Sequence, residues 1–257
     1  MSGYLYATHF FMQLVIDFGN SLQKYAVFSG DEIIASYADE KLSDEKIIEI
    51  CGKFPISDCI LASVIHHTVD FEKFLKAKFN TIILDHETPL PILNNYETPL
   101  TLGKDRLACA VGAWKKFPGE HVLAIDAGTC IKYDFVSAEG VYLGGAISPG
   151  LNMRFKALHN YTGKLPLLNA DMLKHGNISI IGDSTHHSIL SGVGIGALLE
   201  VEGAINKYKE SYGNLQVVLT GGDAPFFENH LKSRIFALPN LVLHGLHVIL
   251  DHNLKNN

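Results

Sequence analysis

Two stretches of the sequence place an aspartate, a glycine and a hydroxyl residue directly after an apolar run. They read LVIDFGNSLQKYAVF (residues 14–28) and VLAIDAGTCIKYDFV (residues 122–136). Asp-x-Gly at the end of a strand opens a tight hairpin, in which Gly19 and Gly128 leave backbone N–H groups exposed. Such amides, with the hydroxyls of Ser21 and Thr129, can bind phosphate oxygens.

The aspartates of these motifs, Asp17 and Asp126, stand where a strand ends and can hold a cation or its water shell. One copy alone favours an ordinary hairpin turn, because Asp and Gly are common turn residues. Two copies of the motif in matching contexts indicate instead that the phosphates of a nucleotide are bound from both sides of a cleft. A third glycine turn, LTGGDA (219–224), again follows an apolar strand and would let an adenine or ribose lie against the backbone.

The predicted strands and helices around these motifs indicate an α/β unit that occurs twice in the chain. Each half runs from strands into helices, which indicates an internal duplication. Predicted helices cover residues 43–54, 70–79, 104–117, 151–158 and a long stretch from Asp183 or Ser184 onward, and residues 161–183 are predicted as loop. The break at Pro118–Gly119 predicts two domains, 1–117 and 118–257, with residues 1–11 as an extension that the fold does not need.

Composition excludes several classes of function. The chain has 257 residues, 47% hydrophobic and 19% charged, and a net charge of -6, which suits a globular protein without a basic nucleic-acid-binding face. The sequence contains no long uncharged apolar run, so no membrane span is predicted. Four cysteines without a CxxC pair are typical of reduced thiols in a cytoplasmic protein.

The joint order of the motifs resembles type III pantothenate kinase, from Met12 to near the end of the chain. The motifs are Asp-x-Gly-Asn-Ser…Lys (17–24), Tyr96, LGKDR (102–106), DAGT (126–129), GGAISPG (144–150), STHHSI (184–189) and TGGDA (220–224). The resemblance implies an actin-like, sugar-kinase-like α/β fold, with two ribonuclease-H-like domains around a nucleotide cleft. It implies ATP-dependent phosphorylation of pantothenate to 4′-phosphopantothenate, the first step of coenzyme A biosynthesis.

The resemblance also implies roles for individual residues. Asp17 would lie near Mg²⁺, and Asp126 would hold a monovalent cation, K⁺ or NH₄⁺. Asp105 would be the general base, and Thr185 would contact pantothenate across a homodimer interface. The ATP-binding residues would be Asp17, Phe18, Gly19, Asn20, Ser21, Leu22, Gln23, Lys24 and Thr129. The pantothenate-binding residues would be Tyr96, Gly103, Lys104, Asp105, Arg106 and Thr185.

Elementary chemistry fits these roles, and three positions depart from the family pattern. Phosphoryl transfer needs positioning and charge neutralisation, and a carboxylate beside the attacking hydroxyl can accept its proton. Without the family pattern, Asp105 and Arg106 would be an exposed helix-start acid and a surface base. Ser21 replaces the commoner Thr, Leu107 stands where Trp is frequent, and Lys132 stands where a small or hydroxyl residue is usual. A Lys132 that faces the cleft would alter nucleotide or cation affinity, but strand alternation cannot settle its direction across the turn.

Two further functions stay open at this point. One is another small-molecule kinase or phosphatase of the same fold, and Tyr96 with GKDR favours pantothenate over it. The other is a nucleotide-binding regulator without turnover, against which Asp105 and Asp126 both argue. Gly192 and Gly196 lie on one face of the long helix and would allow close approach to the core or to a partner subunit.

Overall fold

The computed structural model describes residues 12–173 and 178–256, and it contains two β-sheets flanked by helices. The predicted extension 1–11 lies outside the described residues. The first half contains β1 (Met12–Phe18), β2 (Gln23–Ser29), β3 (Glu32–Asp39), α1 (Asp44–Cys51), β4 (Ile56–Ser63), α2 (Val69–Lys78), β5 (Asn80–Ile83), β6 (Leu93–Asn94) and α3 (Lys104–Lys116). The second half contains β7 (His121–Ala127), β8 (Cys130–Val136), β9 (Val141–Pro149), α4 (Leu151–Asn160), α5 (Thr185–Tyr212), β10 (Leu215–Thr220), α6 (Ala224–His230), β11 (Phe236–Ala237) and α7 (Leu241–Asn256).

The two sheets repeat one topology. Their strand orders are β3-β2-β1-β4-β5 and β11-β10-β7-β8-β9-β6. β1 pairs antiparallel with β2 and parallel with β4, and β7 pairs antiparallel with β8 and parallel with β10. The structure confirms the predicted α/β fold of two repeated units.

The central strands are apolar because both of their faces are covered. Leu14, Val15 and Ile16 of β1 are fully buried, and so are residues 122–125 of β7. A strand with a parallel neighbour and helices on both faces reads as a continuous apolar run instead of an alternating one. Each run ends at an aspartate, so the first polar side chain stands at the sheet edge where the hairpin begins.

The two halves are held together by α3 and α7, which cross at very short distance. A Cβ at Gly245 would lie 1.7 Å from the carbonyl oxygen of Ala108, so only glycine permits this crossing. One hydrophobic cluster joins Val15 of the first sheet, Val136 of the second and Leu246 of α7. The closely packed helices α3 and α7 therefore lie between the two sheets and position the start of α3.

The chain does not divide cleanly at residue 117. α7, from the end of the chain, packs on β1 and β4 of the first sheet, and β6 pairs with β9 of the second. The boundary between 1–117 and 118–257 stays a prediction. The predicted loop 161–183 contains a short 3₁₀ turn, Ala170–Leu173, and its residues 174–177 are not described.

Helix α5 begins at the predicted place, since the side chain of Ser184 caps it by accepting a hydrogen bond from the His187 N–H. By length and composition alone this helix could cross a membrane. Ile189, Val193 and Val201, however, are buried in the core of the second half. This is the packing of a core helix, which passes the same test of length and composition.

Candidate active site

The first hairpin places Asp17 at the end of β1 and leaves one of its oxygens without a partner. The turn is closed by a hydrogen bond from Gly19 N to Leu22 O at 3.2 Å, and Asn20 and Ser21 are exposed at its tip. Asp17 is 7% exposed, and its Oδ1 is buried and accepts no hydrogen bond. A buried carboxylate oxygen with no partner fits a Mg²⁺ ligand, because hard cations prefer carboxylate oxygens.

Two residues of the predicted ATP-binding stretch turn their side chains into the core. Phe18 packs on Phe71 with ring centroids 5.4 Å apart. The Gln23 side chain is buried and accepts a hydrogen bond from Leu42 N. Only the backbone of Phe18 and Gln23 is therefore free to contact a nucleotide.

The second hairpin is held from behind by the third glycine turn. Gly221 has φ +98°, and a Cβ there would lie 2.2 Å from the carbonyl oxygen of Ala127 and 2.6 Å from Asp126 Oδ1. Asp223 N donates to the Ala127 carbonyl at 2.9 Å. Only glycine fits this left-handed, crowded position. The motif TGGDA thus fixes the end of β7, where Asp126 stands.

The two hairpins face each other, as the repeated motif predicts. Ser21 Oγ and Thr129 Oγ1 lie 3.0 Å apart, although they are separated by 108 residues in the chain. Both hydroxyls are exposed at the tips of their turns. The contact brings the two turns and their hydroxyls to one place, where they can bind phosphate oxygens. The N–H groups of Gly19 and Gly128 themselves donate within their turns, to Leu22 O and Cys130 O.

Asp17 lies in a field of charges from both halves. Burial, followed by the nearby Asp105 carboxylate, raises the pKa of Asp17 to about 7, while Lys24 and Lys132 act in the opposite direction. Lys24 is the cross-strand partner of Asp17 in the β1–β2 pairing. The site therefore concentrates negative charge that a divalent cation would neutralise.

Lys132 lies between the predicted base and the predicted cation ligand. Its Nζ is 2.7 Å from Asp105 Oδ2 and 2.6 Å from Asp126 Oδ2, and the three side chains are 15% to 17% exposed. Burial lowers the pKa of Lys132, but Asp126 and Asp105 raise it more strongly, so it lies well above its usual range. Lys132 faces the cleft, which the sequence left open.

Asp105 occupies the first turn of α3, directly after the Gly103 cap. Its Oδ1 accepts a hydrogen bond from Arg106 N at 2.9 Å, and a Cβ at residue 103 would lie 2.6 Å from that oxygen. Lys132 holds the other oxygen. Each carboxylate oxygen of Asp105 is thus oriented by one donor, and the group is half-buried instead of being an exposed helix-start acid.

Arg106 is a buried side chain and not a surface base. Its Nε donates to Asp134 Oδ1 at 2.9 Å, and its guanidinium lies 5.6 Å from the ring centre of Tyr96. Tyr142 OH donates to the same Asp134 oxygen at 2.8 Å. Burial raises the pKa of Asp134 to about 6, against the effect of Arg106. Tyr96 and Arg106, two predicted substrate residues, are brought together.

Sequence reasoning missed Asp134 and Tyr142, which position Arg106. The available signal was a single acid among the apolar residues of β8. Thr185, by contrast, is exposed at the first residue of α5. Among the hydrogen bonds of residues 12–173 and 178–256, none joins Thr185 to the Asp105 group. Lys104 is half-buried beside Asp105 at the start of α3.

Comparison with known proteins shows the family of this chain. The family model described as type III pantothenate kinase matches residues 13–207. A curated protein of Phocaeicola vulgatus with that name is 46% identical over 246 residues, which cover 95% of this chain and 100% of the relative.

Solved structures show the same fold at low identity. A putative Baf family transcriptional activator from Campylobacter jejuni superposes with a TM-score of 0.60 at 21% identity, covering 94% of this chain and 99% of that one. A ROK family protein from Streptococcus pneumoniae, solved with sucrose, gives 0.55 at 12% identity, covering 96% and 100%. The fold is therefore the actin-like, sugar-kinase-like α/β fold. With the family match over most of its length, the chain belongs to the type III pantothenate kinase family.

Proposed function

We propose that this chain transfers the γ-phosphoryl group of ATP to pantothenate and forms 4′-phosphopantothenate, the first step towards coenzyme A. The observation that carries the proposal is the contact between the hairpin tips at Ser21 and Thr129, with Asp105 in the same charged cluster. Phosphoryl transfer depends mainly on positioning and on neutralising charge, and this site offers both. The relative of Phocaeicola vulgatus bears the name of this activity.

The hairpin residues bind the ATP phosphates. The turn around Gly19 offers backbone N–H groups, and Ser21, Thr129 and Lys24 add hydroxyl and ammonium donors. Asp17 would hold Mg²⁺ through Oδ1, which is buried and accepts no hydrogen bond. When bound, this ion neutralises the phosphate charge that builds up during transfer.

Asp105 is the catalytic residue that accepts the proton of the attacking hydroxyl of pantothenate. Its two oxygens are oriented by Arg106 N and by Lys132, so the carboxylate is fixed without depending on the substrate. Tyr96 and the segment 103–106 form the pantothenate site. The Arg106 guanidinium is held in place by Asp134 Oδ1, which lies 2.9 Å from Nε and 2.7 Å from Nη2, and it borders the pantothenate site in that fixed orientation.

A homodimer in the cytoplasm completes the proposal. The first turn of α5 reaches the pocket of the partner subunit through Thr185. A Cβ at Gly192 or Gly196 would meet no described atom of the same chain, and Leu199 on this helix is 66% exposed. A smooth apolar helix face suits a symmetric interface.

The last part of the proposal is that one positive charge neutralises the Asp126 carboxylate. The family resemblance implies K⁺ or NH₄⁺ at this carboxylate. The group that touches Asp126 Oδ2 in the described structure is the ammonium of Lys132. The carboxylate is therefore matched by charge within the chain.

A coupled assay of ADP release tests the activity. We expect turnover with pantothenate and Mg-ATP, and none above background with glucose or acetate as acceptor. Turnover with a sugar and not with pantothenate would favour another small-molecule kinase of this fold. ATP binding without any turnover would favour the nucleotide-binding regulator.

A further inference from the structure

Lys132 stands directly opposite Asp126 in the second hairpin. The β7–β8 pairing makes the two residues cross-strand partners. Directly opposed residues in an antiparallel pair project to the same side of the sheet, with their Cβ atoms about 5 Å apart. The register therefore places Lys132 on the same face as Asp126 and within reach of its carboxylate, and the ion pair at 2.6 Å shows that the ammonium takes this position.

The ammonium also reaches the catalytic carboxylate. Its Nζ contacts Asp126 Oδ2 at 2.6 Å and Asp105 Oδ2 at 2.7 Å, so one positive charge lies between two negative ones. The pair is mostly covered, since each of the three side chains is at most 17% exposed. Salt in solution screens such covered charges much less than exposed ones.

A free monovalent cation at the same carboxylate does not fit beside this ammonium. A cation bound to Asp126 would lie close to the ammonium that already contacts Oδ2, and two positive charges at such short range repel each other strongly where water is partly excluded. The residues present thus disagree with a K⁺ or NH₄⁺ site at Asp126.

We infer that the Lys132 ammonium takes the place of the monovalent cation, so that this enzyme phosphorylates pantothenate without added K⁺ or NH₄⁺. Lys132 is a positioning residue, because it acts through the two carboxylates that it contacts: it neutralises Asp126 and orients Asp105. The inference rests on the proposed function for its activity measurements, but the melting measurement below does not.

The first experiment measures ADP release at equal ionic strength in potassium, ammonium, sodium and choline chloride. We expect the rates of the natural protein to agree within twofold. Lys132→Thr, which opens the site and restores the usual kind of residue, should be stimulated at least tenfold by potassium over choline. Lys132→Met keeps the bulk without the charge and should be slow in every salt. Lys207→Thr, at an exposed lysine, is the matched control and should behave like the natural protein.

The second experiment measures the melting temperature of the metal-free protein without substrates in the same salts. Potassium should raise the melting temperature of Lys132→Thr relative to choline and leave that of the natural protein unchanged. If the natural protein shows no turnover at all, the proposed function fails, and this measurement still decides whether the site takes a cation.

Two results would overturn the inference. One is a natural protein that is activated at least tenfold by potassium or ammonium. The other is a folded Lys132→Thr protein with neither a rate nor a melting temperature that responds to potassium. If Lys132→Thr does not fold, the cation response of the natural protein alone decides.

Discussion

Both Asp-x-Gly hairpins pair their aspartate with a lysine on the next strand, but among the described residues only one of the two lysines contacts its aspartate. Asp17 is the cross-strand partner of Lys24, and Asp126 is the cross-strand partner of Lys132. Lys132 touches its aspartate at 2.6 Å, whereas Asp17 Oδ1 is buried and accepts no hydrogen bond. One copy of the device is thus open to an external cation, and the other already contains its own.

The difference follows from what lies beside each hairpin. The start of α3 brings Asp105 next to the second hairpin, so Lys132 gains two carboxylates there. The first hairpin has its tip exposed at Asn20 and Ser21. In the proposed function, the duplicated element therefore serves two purposes: the first copy would take the Mg²⁺ of ATP, and the second would support the proposed catalytic carboxylate.

The largest effect is expected at Asp105, beside the second hairpin. Its substitution tests whether this side of the site governs the rate of phosphoryl transfer and not the affinity for ATP. Asp105→Asn should fold normally and lower kcat by about 10²–10⁴-fold, the usual range for a lost acid–base group. The KM for ATP should change little, because the hairpin tips are untouched. Steady-state kinetics check both values, with the melting temperature as the control for folding. Near-normal kcat in a folded variant would remove Asp105 from the role of base.

The same substitution at the two hairpin aspartates should change stability in opposite directions. Burial raises the pKa of Asp17 to about 7 from an ordinary value of 3.8. The folded protein therefore binds this proton more tightly than the unfolded chain, and stability is lost as the pH rises from 3.8 through 7. Asp17→Asn removes the buried charge and should stabilise the metal-free protein at pH 8 by about 1–3 kcal/mol, although it lowers activity.

Asp126→Asn should instead destabilise the protein by about 1–3 kcal/mol, because Lys132 loses one of the two carboxylates that hold its charge. Urea unfolding at pH 5 and pH 8, with EDTA present, measures both variants. The advantage of Asp17→Asn should shrink at pH 5. Changes of the same sign for both variants would contradict the contrast between an open and a self-neutralised hairpin.

Much of this fold can be predicted from the sequence, because its signals are local. An apolar run that ends in Asp-x-Gly specifies a buried central strand and the hairpin after it, and the repeat of the motif predicts the duplicated sheets. The side of the sheet to which Lys132 projects could not be predicted, because it depends on how many residues the turn contains. Six positions separate Asp126 from Lys132, whereas seven separate Asp17 from Lys24, so the first hairpin gives no guide to the second. Alternation along a strand does not continue across such a turn.

Contacts between distant segments could not be predicted from the sequence either. Asp134 holds Arg106 from 28 residues away, and no spacing rule connects an acid in β8 with a base in α3. α7, which lies more than 170 positions after β4, packs on strands of the first sheet. Both are packing outcomes of the complete core, whereas Asp17 and Asp126 are identified by the motif around them, and Asp105 is identified by the family pattern.

A smaller effect is expected at the proposed dimer interface. Gly196→Leu should weaken the dimer by about tenfold or more, since overpacking costs about 1–3 kcal/mol, and should raise the KM for pantothenate with it. The melting temperature of the monomer should hold, because a Cβ at Gly196 has open space within the chain. Sedimentation at several concentrations measures the dimer, and Gly163→Leu, at another open glycine, is the control. An unchanged dimer would exclude this helix face as the interface.

Mixing two inactive proteins tests whether the sites are shared between subunits. Asp105→Asn damages the pocket of its own subunit, and Thr185→Ala would damage the pocket of the partner. After verified subunit exchange, the heterodimer should therefore regain one complete pocket and a measurable rate. A mixture that stays as slow as its components would show that Thr185 acts, if at all, within its own subunit.

The smallest expected effect lies where the two hairpins touch. The hydrogen bond between Ser21 Oγ and Thr129 Oγ1 is exposed, and such a bond contributes about 0.5–1.5 kcal/mol. Ser21→Ala and Thr129→Ala should each raise the KM for ATP severalfold, because each removes a phosphate donor as well as the link. If the two hairpins act as one clamp, the double variant should be less impaired than the product of the single effects. Effects that multiply without coupling would mean that each hairpin holds the phosphates independently. The kcat of all three variants serves as the control, since Asp105 and Lys132 are unaltered and the chemical step should keep its rate.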